Sequence, residues 1–202
     1  TKIKDEKRAV VTKQCLATAY DNMGHHNEAT EILVSLLSYH KNKNDYKEEL
    51  SILVGLSCSY ARSFQFDEME IVLKEFFEKY KEYDIDDKFS LGLAYSNFAG
   101  LFNAKKNFET AIKFNLLALD CFTQIGNFRL TAGAHLNLGL NYIETNDSAN
   151  TITHLEKAIE IAEGNQLSEF LEESYKQLYV FYKNDKQYQK ALFFATKFYE
   201  FR

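Results

Sequence analysis

The chain contains no proline and no tryptophan in 202 residues, and only eight glycines and three cysteines. The lack of proline removes the residue that breaks helices by deleting a backbone donor and clashing with the preceding turn, so long helices are permitted throughout. With so few glycines, no glycine-rich loop is available to cradle a phosphate. Cys15, Cys58 and Cys121 are odd in number and widely spaced, with no CxxC pair. That pattern argues against a disulfide framework or a zinc-binding motif, and the three are expected as small buried hydrophobes in a reducing, cytoplasmic compartment. No apolar run approaches the ~20 residues of a membrane span. The start, Thr1 to Glu6, has neither the apolar stretch of a signal peptide nor an initiator Met, so the segment is expected to be cut from a longer protein. Positive charge is also short. Twenty-four Lys and Arg face 29 Asp and Glu, a net charge of −5 that disfavours nucleic-acid binding by this segment.

What the chain does have is a recurring pattern. Aligned on Ala29, Met69, Ala111, Thr151 and Ala191, it carries an aromatic nine residues earlier each time: Tyr20, Tyr60, Phe102, Tyr142 and Tyr182. Four residues before those stand Leu16, Leu56, Phe98, Leu138 and Leu178. The offsets between successive repeats are 40, 42, 40 and 40 residues. A period of this length is the signature of a solenoid, in which each repeat buries its apolar face against its neighbours. The fold class is therefore all-α, an α-solenoid of about five antiparallel helix pairs. Expected repeats run over 8–45, 46–87, 88–128, 129–168 and 169–202, as a single domain.

The fourth repeat shows the pattern best. Leu136, Leu138, Leu140 and Tyr142 belong to a first helix, while Ile152, Leu155, Ile159 and Ile161 follow the spacing of one helical face in a second. Glu144 to Ala149 forms the polar turn between them, and Asn146, Asp147 or Ser148 is expected to cap the second helix.

The run Leu136-Asn-Leu-Gly-Leu-Asn-Tyr142, followed by Thr151, Leu155 and Ala158, resembles the tetratricopeptide repeat. With repeat position 1 at Val10, Leu50, Gly92, Ala132 and Glu172, position 8 holds Ala17, Ser57, Ala99, Gly139 and Tyr179, and position 20 is the alignment column above. The departures are the missing Trp at position 4, the missing closing Pro, and a period of 40 rather than 34. The resemblance implies a right-handed solenoid whose first helices line a concave groove. Repeats of about 40 residues are similar to those of the Rap/NprR/PlcR group of bacterial regulators, receptors for short secreted signalling peptides.

On that resemblance, positions 2, 5, 6, 9, 12 and 13 face the groove. Position 6 then carries Asn97, Asn137 and Gln177 in three consecutive repeats. A carboxamide both donates and accepts, so it can pair with the backbone of an extended peptide without reading its sequence. Asn also costs a helix roughly 0.5 kcal/mol against Ala, which makes two in register informative. Gln14, Asn103, Lys176 and Arg62 join the candidate set, the last two as partners for a carboxylate. The resemblance implies a cytoplasmic regulatory domain that senses a peptide. A constitutive protein-interaction scaffold is the alternative, and a phosphatase would need residues outside this segment. No Ser/His/Asp or Cys/His set is present, so no enzyme and no cofactor are expected. His25 and His26 are adjacent in a turn and are expected to point apart rather than bind metal. His135 and His154 are read as packing or surface residues. The last helix carries Phe193, Phe194, Phe198 and Phe201. Some should pack back on Tyr175, Leu178 and Tyr182, and the rest should form a patch suited to a further repeat or a homodimer.

Overall fold

The structure, a computed structural model, describes residues 2–200. Among them there are ten α-helices and no strand. They are α1 (Lys2–Asn22), α2 (His26–Lys43), α3 (Tyr46–Arg62), α4 (Phe66–Tyr83), α5 (Lys88–Ala104), α6 (Phe108–Gln124), α7 (Phe128–Glu144), α8 (Ser148–Asn165), α9 (Ser168–Asn184) and α10 (Tyr188–Glu200). The chain forms two compact units, Thr1–Leu101 and Phe102–Arg202. In the first, α1 packs on α2, α2 on α3 and α3 on α4. In the second, α6 packs on α7, α7 on α8, α8 on α9 and α9 on α10, and α7 also meets α9.

Three helices, α6, α7 and α8, begin where a side chain satisfies an orphan backbone donor, while α2, α3, α4 and α9 begin without a side-chain cap. Asn107, Asn127 and Asp147 accept from the N–H of Thr110, Leu130 and Asn150 at 3.2, 3.1 and 3.1 Å. Of the three capping residues expected for α8, Asp147 is the one that does it. Every helix pair turns through a residue with a left-handed backbone: Gly24, Phe64, Lys106, Asn146 and Lys186. Connections between pairs use Asn44, Asp84, Gly126 and Gln166 in the same way. Only two of these nine are glycine, so the remaining turns accept a steric cost of roughly 1–2 kcal/mol per residue to stay short.

Burial follows the repeat. Ala17, Ala29, Ser57, Met69, Ala99, Ala111 and Thr151 are all at most 2% exposed, and Leu56, Leu138 and Leu178 are likewise inaccessible. The first repeat departs from expectation. Leu16 is 43% exposed and Cys15 is also exposed, because α1 packs chiefly on α2 and these residues lie off that contact. Cys58 is half-buried, and Cys121 alone of the three is buried.

The second unit has one contiguous apolar core through α7 to α10, including Leu136, Leu155, Ile159, Leu171, Tyr175 and Leu178. Phe194 and Phe198 pack against it, and Phe194 stacks on Tyr182 at 5.5 Å between ring centroids. Phe193 is 57% exposed, beside exposed Leu192 and Tyr199 on α10. Phe201 lies outside the described residues.

The same unit contains a contact that the sequence reading missed. His135 on α7 and His154 on α8 face each other with their Nδ1 atoms 2.9 Å apart, one donating its proton to the other. Tyr142 stacks on His154 at 5.4 Å. Burial, then the neighbouring His154 and Lys157, lowers the pKa of His135 to about 4, and burial lowers that of His154.

Two outcomes follow from these packing features. A Cβ built on Gly139 would lie 2.6 Å from Leu155 Cδ2 and 2.7 Å from its Cγ, with the Leu155 backbone nitrogen at 3.4 Å. Replacing a mid-helix Gly by Ala ordinarily gains roughly 0.5–1 kcal/mol, but overpacking against a fully buried Leu costs ~1–3 kcal/mol, so the clash wins. Gly139→Ala should lower the midpoint of chemical denaturation, and an unchanged or raised midpoint would contradict this packing. For His135, the unfolded imidazole titrates near 6.5 and the folded one near 4. Between those values the unfolded chain binds more protons, so stability is full above pH 6.5 and falls as pH drops toward 4. Urea melts at pH 7.5 and 5 should show His135→Gln losing less stability than the parent chain over that interval.

Candidate functional site

The candidate residues sit on the first helix of each pair, and nearly all of them already have partners. In the first unit, Gln14 Nε2 on α1 donates to Glu48 Oε2 on α3 at 3.1 Å. Arg62, at the end of α3, is ion-paired with Asp21 of α1. Asp21 is nearly buried and also engages His26 Nδ1 at 2.7 Å. The guanidinium expected to await a ligand carboxylate is therefore answered by a carboxylate of the fold itself. Adjacent His25 pairs instead with Glu28 at 3.3 Å, so the two histidines do point to different groups.

Asn97 of α5 is half-buried and directs its amide at α3. Its Nδ2 donates to Ser57 Oγ at 2.7 Å and Cys58 Sγ at 3.3 Å, which leaves Oδ1 as the acceptor it can offer. Burial raises the Cys58 pKa, and the Asn97 bond only partly opposes this, so the thiol stays protonated at neutral pH. Gln14 also lines a cavity of about 260 Å³ with Val10, Val11 and Glu48.

In the second unit, Asn137 of α7 is half-buried and makes no side-chain hydrogen bond among the described residues. Gln177 of α9 donates to Glu173 Oε1 at 2.6 Å, and Lys176 pairs with the other oxygen of Glu173 at 3.1 Å. One acidic side chain thus occupies both neighbouring candidates. Asn103, near the end of α5, keeps a buried Oδ1 without a partner among the described residues. Gln177 and Asn184 come together in a cavity of about 300 Å³, walled by Tyr142, Val180 and Phe181 with Asp185 at its edge. Neither Asn137 nor Lys176 lines it. Among the described residues no group of three or more His, Cys, Asp and Glu is placed to hold a metal ion. Also among them, no helix is long and apolar enough to cross a membrane.

The sequence reading did not anticipate the acidic residues that occupy these candidates. Glu173 stands at a groove position in its own right, and its i, i+3 and i, i+4 spacing to Lys176 and Gln177 was the available signal. Asp21 stands at repeat position 12 while Arg62 stands at 13, so their pairing needs the packing of α1 against α3 to become visible.

A family model, the tetratricopeptide repeat, matches residues 132–165, which cover the end of the first helix turn of α7 through α8. No curated protein matches the sequence. Likeness to solved structures extends over nearly the whole chain. A signal-transduction ATPase with numerous domains and a tetratricopeptide repeat sensor, from Pyrococcus horikoshii, superposes with a TM-score of 0.85 at 20% identity over 96% of this chain and 30% of its own. Aspartyl phosphate phosphatase F from Bacillus subtilis gives 0.81 at 19% identity over 98% of this chain and 53% of its own. A kinesin light chain type protein of Podosopora anserina, built of nearly identical TPR-like repeats, gives 0.76 at 16% identity over 96% and 94%. This chain therefore spans about a third of the ATPase and about half of the phosphatase. At these identities the likeness is one of fold, and that fold is the tetratricopeptide-type α-solenoid.

Proposed function

We propose that this chain is a cytoplasmic regulatory segment that binds a short peptide or extended protein segment on the first helices of its repeats. The observation that carries the reading is the cavity of the second unit. There Gln177 and Asn184, two neutral hydrogen-bonding side chains, converge on an apolar wall of Val180 and Phe181. Such a combination suits an extended chain, whose backbone needs donors and acceptors while its side chains need apolar contact. The unpartnered amide of Asn137 and the free carbonyl oxygen of Asn97 are of the same kind. Lys176 and Arg62 contribute charge only if a ligand displaces Glu173 or Asp21. The repeat sensor of the archaeal ATPase lends support by analogy of fold. For regulation, the peptide must bind two shapes of the array unequally.

Two variants, Gln177→Ala and Asn137→Ala, test this against an immobilised library of unmodified five- to ten-residue peptides. Each lost hydrogen bond contributes ~0.5–1.5 kcal/mol, so each variant should bind the parent's best peptides roughly 2- to 13-fold more weakly with helical content unchanged. Peptides held equally well by the double variant would refute the groove assignment. A parent chain that retains no short peptide but captures a longer protein segment would favour the constitutive scaffold.

A further inference from the structure

The first unit has a cavity of its own where α1, α2 and the start of α3 meet, apart from the second-unit cavity that carries the peptide reading. Its volume of about 260 Å³ falls below the ~300–1,000 Å³ of pockets that hold whole small molecules, so it suits one side-chain-sized group. Val10, Val11 and Tyr39 supply an apolar wall. The polar lining is Gln14, His40, Asp45 and Glu48, with two carboxylates and no Lys or Arg. Lys43 rests over the Tyr39 ring, 5.6 Å from its centroid, but is not part of the lining. We propose that this cavity binds a primary alkylammonium group, with its stem against Val10 and Val11 and its charge between Asp45 and Glu48.

Hydrogen bonds across the lining hold both carboxylates in place. Gln14 Nε2 donates to Glu48 Oε2 at 3.1 Å, and His40 Nδ1 engages Asp45 Oδ2 at 3.2 Å. A carboxylate only accepts, so Nδ1 carries the proton in that bond, and Nε2 of the neutral ring is an acceptor. The His40 side chain is 5% exposed, and its buried Nε2 has no partner among the described residues. A buried acceptor left this way costs stability until a donor arrives. Gln14 Oε1, Asp45 Oδ1 and Glu48 Oε1 likewise make no hydrogen bond among the described residues. Acceptors spread over separate residues suit the diverging donors of an ammonium better than the planar fork of a guanidinium, which matches a single carboxylate edge. A metal ion is the poorer occupant, because no three His, Cys, Asp or Glu among the described residues are placed to hold one.

The experiment titrates the isotope-labelled chain with n-pentylammonium chloride and follows backbone amide chemical shifts. The expected result is saturable movement of the Gln14, Asp45 and Glu48 amides, absent with 1-pentanol, which keeps the stem and lacks the charge. Asp45→Asn and Glu48→Gln should each weaken binding roughly fivefold, and Glu109→Gln in the second unit should leave it unchanged. Circular dichroism establishes that the variants fold, and either single variant suffices for the reading. An acetylated pentapeptide with one central lysine and 1,5-diaminopentane separate a polypeptide lysine from a free diamine as the source of the ammonium, the tighter binder naming it. The proposal is overturned if pentanol moves the same amides as far, if the Asp45→Asn, Glu48→Gln double variant binds within twofold of the parent, or if the amine's shifts scatter over the acidic surface without saturating. A lone amine has no peptide backbone, so its binding and that of the peptide library can fail separately.

Discussion

The distance of closest approach between the two helices of a pair is the constraint on which the rest of this structure depends. At Gly139 and Leu155 the approach is so close that one added carbon has no room. Elsewhere the small, fully buried Ala17 and Ala99 stand at the repeat position of Gly139. Small residues there let the large ones above and below, such as Leu138 and Leu155, fill the space on either side. The aromatic and leucine positions acquire their meaning from that contact, because they recur only where a close pair leaves a gap to fill.

This is also why the fold was largely legible in the sequence. A packing rule repeated at a fixed interval leaves a repeated trace, and the positions that anchor it, Leu56, Leu138 and Leu178 among them, are buried as the register requires. The first repeat is less faithful, with Leu16 and Cys15 exposed, since a residue's place in the register says nothing about whether a neighbouring helix covers it. The turns were legible only as polar stretches. That Phe64, Lys106 or Asn146 would adopt a left-handed backbone follows from how tightly the helices must reverse, and none of these is the glycine that would have announced it.

The candidate site was less legible, for a different physical reason. Register predicts which face a side chain is on, but not what it bonds to once there. Asn97 is turned to Ser57 and Cys58, Gln14 to Glu48, Gln177 to Glu173, and Arg62 to Asp21. Each of these contacts joins residues on separate turns or separate helices, and long polar side chains choose among several such partners. Likewise the His135 and His154 pair arises from two single residues 19 apart, with no motif in common.

The ties between neighbouring pairs share one property, the length of chain they span. Gln14 reaches Glu48 and Lys41 reaches Glu75 across 34 residues, while Asn97 to Ser57 and Arg129 to Glu169 each span 40, and Asp21 to Arg62 spans 41. Loop closure entropy grows only with the logarithm of the span, so each such tie carries nearly the same entropic cost and none requires distant parts of the chain to meet. Assembly from contacts of this kind is a low-contact-order process, in which one repeat can serve as template for the next. By the same logic, loosening spreads outward from where it starts.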